Sequence, residues 1–242
     1  MTEQIDYNIF VNDNNREFVN AIINSGNTIE LYKILITENV ENTKIWTCLR
    51  QGEIFKLTFY NGEESIDYFT HEILHAYFLT HLQFADTKDF YNDIQTNSDY
   101  QLILPLGLIG HINNIFAHEK FYKTYIEKKF LKEKFTSDFN ELPVFYRTEI
   151  DDNFEKFDQP NIGILYFIST FFSCKDNRSG LYENEINEHF EFLKLKNKAL
   201  FEILNTTWEI WLKEEEINLN KKIISNLIVE IKKWYREKTT NG

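Results

Sequence analysis

Glycine and proline are scarce, with 8 and 3 copies in 242 residues. So few turn formers exclude a sandwich of many short strands joined by tight turns, and long helices are expected instead. Cysteine is rarer still. Cys48 and Cys174 lie far apart, which excludes the closely spaced pairs that structural zinc needs and leaves a single disulfide as the alternative to two reduced thiols. Basic residues are outnumbered by acidic ones, 26 to 38, giving a net charge of −12 and a pI near 5.0. Nucleic acid is therefore not an expected partner, because phosphate binding needs a basic face. The lysines at Lys128, Lys129, Lys132 and Lys134 are interleaved with glutamates and read as a solvated helix face. The longest apolar run, Ile162–Ser173, falls short of the ~20 residues that span a bilayer, so no membrane is expected. The first residues, MTEQID, show neither a basic nor an apolar leader pattern. With two thiols expected to be reduced, the compartment expected is cytoplasmic.

What the chain does have is apolar bulk. Hydrophobic residues make up 43%, and 22 phenylalanines supply much of it, enough for a real core. Asn14–Asn24 has helical spacing. Ile29–Thr37, Lys44–Arg50 and Glu53–Tyr60 read as strands, with a hairpin turn at Gln51-Gly52. Ser65 is placed to cap an apolar helix over Ile66–Phe84. Asp86–Tyr100 reads as a polar connection, and Leu102–Lys134 as a second helix with Pro105 in its first turn. Leu142–Ile150 is predicted as a short strand. Asn161–Cys174, Tyr182–Leu204, Thr207–Ile217 and Asn220–Lys238 are predicted helices, packed through Trp208, Trp211 and Trp234. The expected class is α+β and predominantly helical. It has a small N-terminal β-sheet packed on the first apolar helix and on the second, then a helical C-terminal half. The expected domains are 1–150, carrying metal and chemistry, and 151–242, a helical region packed on the first.

Within Ile66–Phe84 stands His71-Glu72-Ile73-Leu74-His75. Residues i and i+4 share a helix face, so both imidazoles can meet one metal ion. Three ionisable groups on a buried apolar helix are unfavourable unless a metal or partners satisfy them. Glu72, next to the first histidine, is placed to hold and deprotonate a water.

This HExxH motif resembles the active-site helix of the zincin metallopeptidases. Strands followed by the motif helix is also the order used in that family, and the likeness extends over about Thr28–Tyr125. The resemblance implies zinc, a peptide or protein substrate, and Glu72 as general base.

Zinc at a catalytic site needs a third protein ligand. His81 has the spacing of the metzincin motif, but Phe78 replaces the turn glycine, and Met1 is the lone methionine. If the helix continues, His81 points away from His75 and is a surface residue. On the second helix His118 and Glu119 compete. Gluzincin-like proteins supply a glutamate from a following helix, which favours Glu119, yet Lys123 stands where those families carry an acid. His118 shares its face with Asn114 one turn earlier, suited to orient a ligand, and with His111. The expected ligands are His71, His75 and His118, with Glu119 as the alternative and Asn114 and His111 as supporting residues. Glu72-x-x-His75 is also half of a di-iron carboxylate motif, but Ile115 and Ile186 precede His118 and His189 where glutamates would be required.

The expected function is therefore a zinc-dependent peptide-bond hydrolase. Tyr146, Arg147 and His189 are open candidates to steady the oxyanion. The alternative is a zincin-derived binding or regulatory module without catalysis.

Overall fold

A computed structural model of the chain describes residues 1–35, 46–91, 103–135, 145–156, 162–177 and 182–240. The chain divides into two compact units, Met1–Gln83 with Lys120–Asn140, and Phe84–Glu119 with Glu141–Gly242. Among the described residues there are four strands and eight α-helices, the predominantly helical α+β class expected.

The first unit holds the sheet. Its strands are β1 (Thr2–Ile5), β2 (Thr28–Ile34), β3 (Trp46–Gln51) and β4 (Ile54–Tyr60), in the order β1-β2-β4-β3. β2 and β4 run parallel, with Leu31 opposite Leu57, while β1 and β3 flank them antiparallel. β4 alternates strictly. Phe55, Leu57 and Phe59 are fully buried, and Ile54, Lys56, Thr58 and Tyr60 take the other face. The hairpin turn is Gly52-Glu53, one residue later than predicted, since Gln51 pairs with Ile54. Gly52 there has φ +64, which favours glycine. β1 was not predicted. Three of its four residues are exposed, so it lacks the alternation by which the other strands are legible.

Two helices complete this part of the unit, α1 (Arg16–Asn24) and α2 (Ile66–Thr80). Ser65 caps α2 as expected, accepting from the Tyr68 backbone N–H. Phe69 of α2 enters an aromatic cluster with Phe10, Trp46 and Phe59, in which Trp46 and Phe59 stack at 4.4 Å. One helical step on, Thr70 accepts from the Asn15 side chain at 2.9 Å and donates to the Ile66 carbonyl. Asp67 accepts from the Leu131 backbone N–H at 2.8 Å. These anchors at the first turns fix the rotation of α2, and hence the direction of everything it carries later.

The second unit is helical. α3 (Leu106–Glu127) begins directly after Pro105, whose carbonyl accepts from Leu108 and Ile109. It is one unbroken helix, and its residues from Lys120 onward count with the first unit. Before it, Thr87–Phe90 forms a 3-10 turn closed by reciprocal Asp86 and Asp89 bonds. The rest of the connection predicted over Asp86–Tyr100, from 92 on, lies outside the described residues. Then follow α4 (Arg147–Asn153), α5 (Ile162–Asp176), α6 (Glu183–Lys196), α7 (Lys198–Lys213) and α8 (Asn220–Thr240).

The structure departs from three local expectations, one of them at Thr207–Ile217, where residues up to Lys213 are the end of α7 rather than a helix of their own. Of the strand predicted at Leu142–Ile150, residues 142–144 lie outside the described residues and 147–150 are the start of α4. Its buried Ile150 and Phe154 are four apart, a helical repeat too short to stand out in the sequence. The long helix predicted at Tyr182–Leu204 is broken at Asn197. That residue takes extended dihedrals (φ −154, ψ 94) and its side chain accepts from the Leu200 N–H, so it caps α7. The tryptophans pack as expected. Trp211 stacks on Phe116 at 5.1 Å and donates its indole N–H to the Phe116 carbonyl, while Trp234 meets Phe154. Gly163 lets α5 approach α4, because a Cβ there would lie 2.6 Å from the Phe154 nitrogen.

Candidate metal site

α2 does what its spacing predicts. His71 and His75, one turn apart, bring their Nε2 atoms to 3.1 Å. Two imidazoles on a tetrahedral ion with bonds of about 2.0–2.1 Å hold their nitrogens about 3.3 Å apart, so the pair is close to that separation. Their walls are aromatic. Phe121 lies edge-on to both rings, at 5.4 and 4.8 Å between centroids, and Phe135 lies edge-on to His71 at 4.8 Å. His71 is buried and His75 half-buried.

Phe121 belongs to α3, and His118 precedes it by one turn of the same helix. The three histidines offer ligand nitrogens that all lie within 4.8 Å of one another, close enough to hold a metal ion. His118 is 4% exposed. Its Nδ1 faces both oxygens of Asp176, at 3.1 and 3.0 Å, and its Nε2 faces the Asn114 amide nitrogen at 3.2 Å. A carboxylate can only accept, so Nδ1 carries a proton, and in the neutral ring Nε2 is then the nitrogen with the lone pair a metal requires.

Glu72 sits between the two histidines of α2. The residue keeps some exposed surface, but burial of its carboxyl pushes the pKa up to about 8. That shift is desolvation alone, and a divalent cation on the adjacent imidazoles would act in the opposite direction.

The remaining predicted residues fall elsewhere. Glu119 is half-buried on α3 and is not one of the three-residue group. Lys123, where an acid would support a glutamate ligand, instead pairs with Glu127 at 3.7 Å. His111 bonds Ser173 through its Nε2 at 3.0 Å. His81 is exposed and stacks on Tyr77 at 5.0 Å. The helix does reach it, since His81 is the C-cap with right-handed helical dihedrals and an N–H bonded to the Tyr77 carbonyl, but it stops there rather than at Phe84. Tyr146 stacks on Tyr166 at 4.2 Å, and Arg147 lies over the Phe192 ring. His189 is buried between Phe145 and the Cys174 sulfur. None of these three is assigned to the oxyanion by its contacts.

Asp176 was missed by sequence reasoning, and a signal for it exists. It is the last residue of α5, where a negative charge opposes the helix dipole. An acid in that position needs a compensating partner, and the N–H of His118 is one. Compared with known proteins, the chain matches no family model, no curated protein and no solved structure.

Proposed function

We propose that this chain is a zinc-dependent hydrolase of zincin type that cleaves a peptide bond in a peptide or protein. The observation that carries the reading is the gathering of His71, His75 and His118 with Glu72 on the same turn as the first two. Three imidazole donors suit zinc better than the hard oxygen-seeking cations. His71, His75 and His118 would hold the ion. When bound, zinc supplies Lewis acidity to the attacking water and to the scissile carbonyl.

The protein's own share of the chemistry falls to Glu72. Its carboxylate accepts a proton from the attacking water and returns it to the leaving amine, a general acid–base role. A site serving only to tie helices together has no use for such a group.

The test has two parts. Protein as purified, or reconstituted with zinc, should carry about one ion per chain by elemental analysis. Incubated with a diverse peptide library, it should generate new termini by mass spectrometry, and Glu72→Gln should lose about 10²- to 10⁴-fold of that rate while keeping its zinc. Zinc binding with no cleavage above the Glu72→Gln background would leave a metal-binding module and end the hydrolase reading.

A further inference from the structure

We propose that the groove between α7 and α8 binds a small organic cation with an apolar body, an alkyl- or arylalkylammonium ion. Both helices belong to the second unit, so this site is independent of the metal reading.

The groove follows from how the two helices are written. α7 ends at Lys213 and α8 starts at Asn220, and so short a connection makes them antiparallel neighbours. Ile203, Thr207 and Ile210 line the groove from α7 at helical spacing, and Ile223 and Leu227 line it from α8. Thr207 adds little polarity, because its hydroxyl is already spent on the Ile203 carbonyl. The two stripes do not close on each other. They leave a cavity of about 370 Å³. That size falls within the range of small-molecule sites, about 300–1,000 Å³. Ile223 and Leu227 are buried, whereas Ile210 is 51% exposed. A ligand lying in the groove would take that side chain out of water, which is favourable.

Charge selects the kind of ligand. Of the residues that line the groove, only Glu202 and Glu230 are charged. Glu202 stands eight residues before Ile210, and Glu230 seven after Ile223. In an antiparallel pair both carboxylates therefore come to the same end, with the isoleucines Ile210 and Ile223 at the other. Both glutamates are exposed, and neither forms an ion pair among the described residues. Asn226, one turn before Glu230, adds an amide oxygen that can accept from the same head group. Such an end attracts an ammonium ion and repels a carboxylate. The apolar length behind it suits a hydrocarbon chain or ring.

Three probes with nearly one apolar body and different heads provide the test: phenylbutylammonium, phenylbutanol and phenylbutyrate. Titrated into the full chain at neutral pH, the cation should shift the methyl resonances of Ile203, Ile210, Ile223 and Leu227 in ¹³C-methyl NMR, with a Kd of about a millimolar. The alcohol should bind about three- to tenfold more weakly, as expected when two exposed carboxylates lose their cation, and the butyrate more weakly still. High salt should narrow the gap between cation and alcohol. In Glu202→Gln with Glu230→Gln, the cation should fall to the affinity of the alcohol, while the alcohol binds as it does to wild type. Both positions are exposed, so the fold should tolerate the pair.

No saturable shift with the cation would overturn the proposal, as would equal binding of the three probes. A cation preference that survives both substitutions, or shifts confined to other methyls, would overturn it too. So would a dimer in sedimentation that Ile210→Asp disperses, since a second copy of the chain would then cover the groove.

Discussion

Asp176 grips the Nδ1 edge of His118 with both carboxylate oxygens, at 3.0 and 3.1 Å, from the last turn of a different helix. A carboxylate behind a ligating imidazole fixes its tautomer and raises its basicity, and losing such a partner typically weakens metal binding about 10- to 100-fold. Asp176→Asn keeps the shape but removes the charge. The expected result is that loss in zinc affinity, read by chelator competition, with an unchanged circular dichroism spectrum. Wild-type affinity in Asp176→Asn would show that the contact is only structural.

The choice between neighbours on α3 can be made by substitution. His118→Ala removes one of the three grouped imidazoles, and a two-histidine remnant should hold zinc at least about 100-fold more weakly. Glu119→Ala should leave the affinity within about twofold, because Glu119 is outside the group. The reverse pattern would hand the third position to the glutamate and leave His118 as its support.

The site was legible where chemistry is local and obscure where it is not. His71, Glu72 and His75 lie within five residues, so helix geometry alone brings them together. His118 was reachable by comparing faces of α3, through Asn114 one turn away. Asp176 was not. It is 58 positions from His118, and its one trace was a charge at the wrong end of a helix. The fold shows the same division. Strands with alternating burial, such as β4, and helices with apolar stripes were readable. β1 was not, because an exposed edge strand is held by backbone pairing to β2 rather than by any pattern of its own. Asn197 was hidden for another reason, since a capping side chain overrode apolar spacing that suits a continuous helix.

A polar cluster in the helical unit carries a stability prediction. Asn220 is fully buried at the start of α8. Its oxygen accepts from the Ala85 N–H at 3.0 Å, and its nitrogen donates to Asn113, which in turn donates to the Ala85 carbonyl. Asn220→Ala strands a buried backbone donor and a buried amide oxygen, at a cost of roughly 2–4 kcal/mol. The urea midpoint should fall accordingly with the slope unchanged. A change below about 0.5 kcal/mol would mean that water takes over these bonds, which a buried site should not permit.

His189 gives the fold a measurable acid sensitivity. Burial, the largest cause, lowers its pKa below 6.5, while Glu188 and Glu185 act weakly the other way. The folded ring therefore stays neutral at a pH where the unfolded ring has begun to bind a proton. Below about 6.5 the unfolded state binds more protons than the native one, so this contribution to stability is present at neutral pH and is lost on acidification. Its neighbour behaves oppositely at the other end of the scale. Burial pushes the Cys174 thiol, 3.7 Å away, up to about 12, so its contribution fades only as pH rises above its ordinary 9. Urea midpoints measured with EDTA, so that no bound metal adds to the slope, should fall between pH 7.5 and pH 5.5. In His189→Gln, which cannot take up a proton, the fall should be smaller than in wild type even if the variant starts lower. Parallel curves for the two proteins over that interval would assign the acid sensitivity to other groups.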